Sequence, residues 1–528
     1  MRLKSIPVCV VSASTLLLGH AAWAAGSYSL PVNFAAGSLS SSGYVSGFAP
    51  PDTNGAVGTA NIAELINGKY LVYNKIVSGA ANTPVFSENL KSFWKSALSS
   101  GDYSAAFTPS GSATSVGISD PRIVYDPASG DWFASSITVP ENSSGVSGSN
   151  DFLLAETADP LTGWHGITYA AQPSSTSTPE FADFPTLGVT ANYVTLAGNM
   201  YTVPSTLNNF TSSAANADVL VLPKSSVVAG AVTGGQLFNY PFSNLGFTNQ
   251  PVNDYSGNTG HTTYLFSNYQ QSAFNAVGYT ENLNQTNVVP GNPVSLDINF
   301  NLATFNTQTG GPTAGAAQPG SANAIDSGDD RLSSSLVFAN GQVWGAQTIA
   351  NPANSSISSL RIFGVTPATA DNTSPVLTNE IVLSDPNHPD SSLYYGSIAV
   401  STDGTVVIAF NESSGTQYVG AYAAVGHING SGMLSLGTPF LLKAGTATYT
   451  LNTGTYRWGD YSTTVVDPTN PNAFWTFQEL PAADGTWSTQ VTEILTPEPA
   501  GLMLLCIGAV CLLGRRRNRI IPGQRPQA

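Results

Sequence analysis

The sequence predicts an all-β protein, a seven-bladed β-propeller, and three observations carry that expectation. Short runs of β-branched and aromatic residues alternate with turns rich in Gly, Ser, Asn and Asp. Extended stretches with a helical period are hard to find. One unit recurs along the chain: an apolar strand, a polar turn, then a second strand with an aromatic near its start.

The copies lie at 61–75, 122–137, 185–201, 254–268 (the least regular), 331–349, 396–412 and 461–480. Successive starts are about 60 to 80 residues apart, the mark of a radial β architecture. Each copy reads as the inner strand pair of a four-stranded blade. Seven copies across residues 25–495 give roughly 67 residues per blade, longer than common propeller repeats. Loops at 140–150, 172–178 and 310–324, rich in Ser, Gly, Ala and Pro, account for the excess. Two tandem β-sandwiches are the alternative, disfavoured because no linker-like break divides the chain.

Both ends of the 528-residue chain read as addresses. At the N-terminus, Arg2 and Lys4 precede an apolar run over 6–18, and Ala22-Trp23-Ala24 offers a cleavage site. Residues 1–24 are therefore expected to be a signal peptide for the Sec translocon, leaving a body of 25–495. At the C-terminus, Pro497-Glu498-Pro499 resists helix formation and stays extended. An apolar segment, 500–514, follows and would form a transmembrane helix about 22 Å long, short for a core about 30 Å thick. Arg515, Arg516 and Arg517, with Arg519, come next and would hold 520–528 in the cytoplasm.

These three parts in this order resemble the PEP-CTERM sorting signal of exported bacterial proteins, across about 496–519. The resemblance implies processing near Pro497-Glu498-Pro499 by a membrane protease, the exosortase. It also implies an extracellular polysaccharide setting for a chain held in the membrane by its C-terminal helix until processed, then at the cell surface or secreted. An ordinary single-pass tail anchor is the alternative. The body, for its part, is similar to exported bacterial propeller-like domains without an established activity. Pro50-Pro51-Asp52-Thr53-Asn54-Gly55, Asp120-Pro121-Arg122 with Tyr125-Asp126, and Arg457-Trp458-Gly459-Asp460-Tyr461 carry that likeness, which implies fold and no catalytic residues.

Composition narrows the function classes. Cys9, Cys506 and Cys511 all lie in the addresses, so the body has no disulfide, thiolate metal site or cysteine nucleophile. Leaving out the terminal charges, the body holds 10 basic and 31 acidic residues, a net charge near −21. Such a field excludes nucleic acid as a partner. It suits divalent cations or neutral glycans as ligands, or serves only to keep the protein soluble.

Asp120, Asp183, Asp330 and Asp460 stand just before first strands of the repeat, with Tyr395 in that place in the sixth copy. Converging at one channel mouth, they would suit Ca²⁺, the one cofactor worth considering; the alternative is a latch of hydrogen bonds between blades. Arg122, Arg331 and Arg457 lie near the same starts, and three guanidinium forks could grip a substrate carboxylate as in sialidases. Ion pairs with Asp120, Asp330 and Asp460 would instead consume them. Complete Asp-box repeats are absent, and the carboxylate pairs Glu180 with Asp183 and Glu141 with Asp151 are weak signals for glycoside hydrolysis. His165, His261, His388 and His427 show no zinc spacing, and neither a Gly-x-Ser-x-Gly elbow nor a P-loop occurs. The tryptophans are expected to fill space between blades more than to stack on sugars. The resulting expectation is a non-enzymatic binding or structural module; a sialidase-like hydrolase is the alternative.

Overall fold

A computed structural model describes residues 28–40, 44–75, 82–173, 178–203, 216–270, 281–312, 314–368, 374–451 and 456–497. Ala22, Ala24, Glu498, Pro499, the 500–514 segment and Arg515, Arg516 and Arg517 lie outside the described residues. Among the described residues no helix is long and apolar enough to cross a membrane.

The fold is almost wholly β, built from antiparallel four-stranded meanders laid down one after another. The first strands of successive meanders are Asn54–Val57, Ser115–Asp126, Glu180–Val189, Phe247–Asn253, Leu336–Ala339, Ser392–Val400 and Thr463–Asp467. The fourth and fifth meanders join into one eight-stranded sheet through parallel pairing of Phe247–Asn253 with Leu336–Ala339. Each first strand packs on the next, and the last packs on Asn54–Val57, so the inner strands close a ring. The strand from the N-terminal side, Asn33–Ser38, completes the last meander by pairing with Trp487–Leu495. Two sandwiches in tandem do not describe this arrangement.

Apolar patterning explains the ring. Strands such as Thr405–Ser414 are buried along their whole length, as expected of sheets covered on both faces. Each neighbouring pair of meanders then has its own core. Phe133, Phe152, Phe181 and Leu196 fill the space between the second and third, and Trp344, Leu360, Ile398 and Phe410 that between the fifth and sixth. Trp475 and Phe477 pack on Phe34, Ile62 and Tyr73 where the last meander meets the first. Trp94, Trp344, Trp458, Trp475 and Trp487 are all fully buried, filling space as expected. Gly55 permits a close approach at that seam: a Cβ there would lie 2.3 Å from the Phe477 ring.

Two repeats were misplaced by the sequence. Segment 254–268 begins just after the inner strand Phe247–Asn253 and holds only the loop and second strand, Thr263–Gln270, of the fourth meander. Segment 61–75 holds the second and third strands of the first meander, because its inner strand, Asn54–Val57, is only four residues long. The longer hairpin after it carries the stronger alternation. The helices Leu90–Ala97 and Ser100–Phe107 also go beyond the all-β expectation; the first buries Leu90, Phe93, Trp94 and Ala97 against the first two meanders.

A buried ion cluster ties the fourth meander to the fifth. Arg361 and Glu281 are both fully buried and lie 2.8 Å apart, with Glu380 3.4 Å from Arg361 Nε. Gln347 accepts from Arg361 at 2.8 Å and donates to Glu281 at 2.8 Å. No solvent reaches these charges, so each depends on the others.

Candidate functional site

The inner strands share a local distortion that shapes the mouth of the ring. Asp120, Phe184, Thr248 and Tyr395 adopt φ between +49° and +56°, each at a break in register with the second strand. Asp52, φ +49°, stands just before the first inner strand. Left-handed backbone is costly for Phe, Tyr and especially β-branched Thr, so the surrounding contacts must hold it. Such bulges re-aim side chains at a strand end. Here they direct polar groups to one end of the ring.

The outcome is a cavity of about 1590 Å³. Its polar lining includes Asp52, Asp120, Asp183, Asp326, Asp329 and Asp460, with Arg331, Arg457 and Tyr395. Phe48, Phe181 and Phe184 supply apolar surface. Of the residues expected at this mouth, Asp120, Asp183, Asp460, Arg331 and Arg457 are brought together. Asp330 is not: it is buried, and its carbonyl accepts from Asn268 and Gln347 of neighbouring strands. Asp329, its neighbour in the chain, lines the cavity instead. Glu141 lines the cavity, whereas Glu180 and Asp151 do not.

Two of the three arginines are held by aspartates. Arg457 makes two bonds to Asp460, 2.7 and 2.6 Å, and Arg331 grips Asp329 with contacts of 2.6 to 3.0 Å. The expected partner of Arg331 was Asp330, so that pairing is corrected. Among the described residues Arg122 pairs with no carboxylate, so the expected pairing with Asp120 is corrected. Arg122 lies beneath the mouth, donates to the Pro185 and Ser333 carbonyls, and stacks 3.3 Å from the Tyr461 ring centroid. Its guanidinium thereby joins the second, third, fifth and last meanders at the centre of the ring. The three forks do not converge on an open pocket.

Latching explains much of the acidic set. Asp52 accepts from the Asp460 amide at 3.0 Å and from Asn67 at 2.7 Å. Asp120 accepts from Ser119 at 2.6 Å and from Tyr461 at 3.2 Å, while its amide donates to Asn67. The segment 457–461 is a keystone: Trp458 bonds Asn411, Gly459 bonds Glu479, and its neighbours close on Asp52 and Asp120. The Asp52-Thr53-Asn54-Gly55 turn serves the same seam, since Asn54 accepts from the Ile123 amide. Sequence reasoning missed Asp52, Asp326 and Asp329; the position of Asp52 just before the first inner strand was the available signal.

Electrostatics separates the carboxyls by role. Burial, then the charge of Asp460 and Asp120, pushes Asp52 well up. Asp183, partly exposed to the cavity, is pushed up to about 7 by burial and then by Asp120. Burial opposes ionisation of Asp329 too, but Arg331 overcomes it and holds that carboxyl below its ordinary value. The mouth therefore offers a proton-bearing group, Asp183, beside fixed ion pairs.

Burial does the same to acids elsewhere: Glu64 and Glu156 are pushed up to about 7 and Asp218 to about 8. A raised acid pKa means that the folded state binds more protons than the unfolded one between the two values. That stability is fully present below the unfolded pKa and is lost as pH rises through the folded one. The melting temperature is therefore expected to be higher at about pH 5 than at about pH 8, measured by calorimetry in matched ionic strength. A flat or rising profile over that window contradicts the assignment.

No protein-family model matches this chain, and no curated protein matches it. Among solved structures it is similar to a protein of unknown function from Dyadobacter fermentans: 8% identity, 74% of this chain and 98% of that one, TM-score 0.39. It is similar to the haemagglutinin-neuraminidase ectodomain of parainfluenza virus 5, with 6% identity, 74% and 85% coverage and a TM-score of 0.35. An α-L-arabinofuranosidase from Fusarium graminearum gives 12% identity, 73% and 95% coverage and a TM-score of 0.35. Superpositions of this extent fix no residue correspondence, so no functional residue passes from those proteins to this chain.

Proposed function

We propose that the chain is an exported seven-bladed β-propeller, each meander one blade, that binds polysaccharide at its mouth without cleaving it. The observation that carries this reading is the state of the three arginines. Two are clamped by aspartates and one is sealed beneath the floor, so none is free to seize a substrate carboxylate. What remains is a roomy cavity lined by oxygens and aromatic rings. Carboxylates accept from sugar hydroxyls, and ring faces stack on sugar C–H surfaces. The N-terminal signal and the PEP-CTERM-like tail support passage through the Sec translocon, processing by an exosortase, and a place at the cell surface among extracellular polysaccharide.

One observation favours hydrolysis as a second reading. Asp183 is pushed up to about 7, which suits a general acid, and it shares the cavity with other carboxylates. A single experiment separates the two. Full-length protein is mixed with neutral and acidic bacterial polysaccharides, and both binding and new reducing ends are measured. Binding without reducing ends is expected, weakened about fivefold by Asp183→Asn, the net worth of one hydrogen bond of about 1 kcal/mol. Reducing ends that vanish in Asp183→Asn would establish the hydrolase. No binding to any polysaccharide would sink both.

A further inference from the structure

We propose that Asp385, His388 and Glu412 form a site for one divalent transition-metal ion of the Zn²⁺ class, on the rim of the sixth meander. The histidine is not isolated, as its spacing had implied. Its partners come from three residues upstream and from a strand 24 residues further on. The turn is fixed by its own bonds: Asn387 N donates to Asp385 Oδ1 at 2.8 Å, and Ser391 N to the His388 carbonyl at 3.0 Å. Glu412, on Thr405–Ser414, lies opposite Leu393 in the ladder, which brings it under that turn.

The donor atoms of the three residues all lie within 4.8 Å of one another. His388 Nδ1 is 2.9 Å from Asp385 Oδ2 and 3.0 Å from Glu412 Oε1. An ion bonded at about 2.0–2.2 Å to tetrahedral donors holds them about 3.3–3.5 Å apart. The imidazole therefore has to withdraw by only a few tenths of an ångström. It is free to do so, because His388 is 44% exposed whereas Asp385 and Glu412 are 1% and 0%.

A second observation points to a missing ligand. Gln417 donates to Glu412 Oε1 at 3.3 Å, but buried Glu412 Oε2 has no partner within hydrogen-bond distance among the described residues, and the neighbouring Ser391 hydroxyl is likewise unpaired. A carboxylate oxygen sealed from water without a donor is costly, and a cation would satisfy it. Among the described residues no lysine or arginine pairs with either carboxylate, so one imidazole faces two acids. One nitrogen and two oxygens suit Zn²⁺ and its neighbours, and a fourth position stays open on the exposed side. Ca²⁺ needs six to eight oxygens, which this set does not offer. The turn leads straight into Ser392–Val400, the strand that carries Tyr395, so the ion would stand at the same end of the ring as the cavity.

The test uses metal-free, untagged full-length protein. Calorimetric titration with Zn²⁺ is expected to show one site, and Co²⁺ to give the visible absorption of a four-coordinate ion. His388→Ala, at an exposed position, is expected to lower Zn²⁺ affinity by about a hundredfold. Glu412→Gln is expected to do the same to affinity. Ca²⁺ is expected to give no heat at this site. Absence of Zn²⁺ binding, or binding equally tight in His388→Ala, overturns the proposal.

Discussion

Deleting residues 28–38 is expected to abolish folding, although the segment touches neither the cavity nor its floor. Asn33–Ser38 is the outer strand of the last meander, and without it Trp487–Leu495 becomes a bare edge. Phe34 and Ala36 leave the core they share with Trp475, Phe477 and Val491. The Gly37 amide, which donates to Thr489 at 2.8 Å and Glu64 at 3.2 Å, stops joining the last meander to the first. Asn33 also bonds the Leu442 carbonyl of the sixth meander at 2.9 Å. A buried Phe contributes about 2–3 kcal/mol and each ladder hydrogen bond about 1 kcal/mol, against a whole-domain stability of about 5–15 kcal/mol. The loss therefore rivals the total. Near-ultraviolet circular dichroism and protease resistance report it; a truncated protein with a cooperative, parent-like melt would show that the ring closes without this strand.

Arg361→Ala is expected to cost about 3–5 kcal/mol, the usual penalty for removing one member of a buried charge cluster. The guanidinium answers Glu281 and Glu380, neither of which reaches water. Its face also lies 4.0 Å from the Phe305 ring centroid, so packing is lost along with charge. Burial already pushes Glu281 up to about 7 against the pull of Arg361. Without the arginine Glu281 folds protonated, and that contribution fades as pH rises through its higher folded pKa. The variant is thus expected to lose more stability than its parent between about pH 5 and about pH 8. Urea unfolding at both values checks this, and equal losses would mean that Glu281 does not depend on Arg361.

Runs of β-branched and aromatic residues between turns made the strands legible because both sheet faces are covered by apolar neighbours. The hairpin repeat located five of seven inner pairs for the same reason. It slipped at Asn54–Val57, a strand of only four residues, and at Phe247–Asn253, which ends just before the segment read as the fourth copy. The site was read less completely. Asp120, Asp183 and Asp460 were visible through their recurring place near a strand start, which for Asp120 and Asp183 falls at the shared bulge. Asp329 and Asp330 are adjacent acids in a loop, and spacing cannot tell which one faces the cavity. The pairing of His388 with Glu412 depends on a strand register 24 residues away, and no local motif encodes it.

Ring closure at the last meander also sets which way the molecule faces. Inner strands begin at the mouth, so Thr463–Asp467 descends from it, Asn470–Pro481 climbs back and Trp487–Leu495 descends again. Ser29 meets Leu495 at the foot of that descent, so the first and last described residues lie on the side away from the mouth. A body tethered by its tail would stand on its base like a goblet, with the acidic opening turned outward and away from whatever surface holds it.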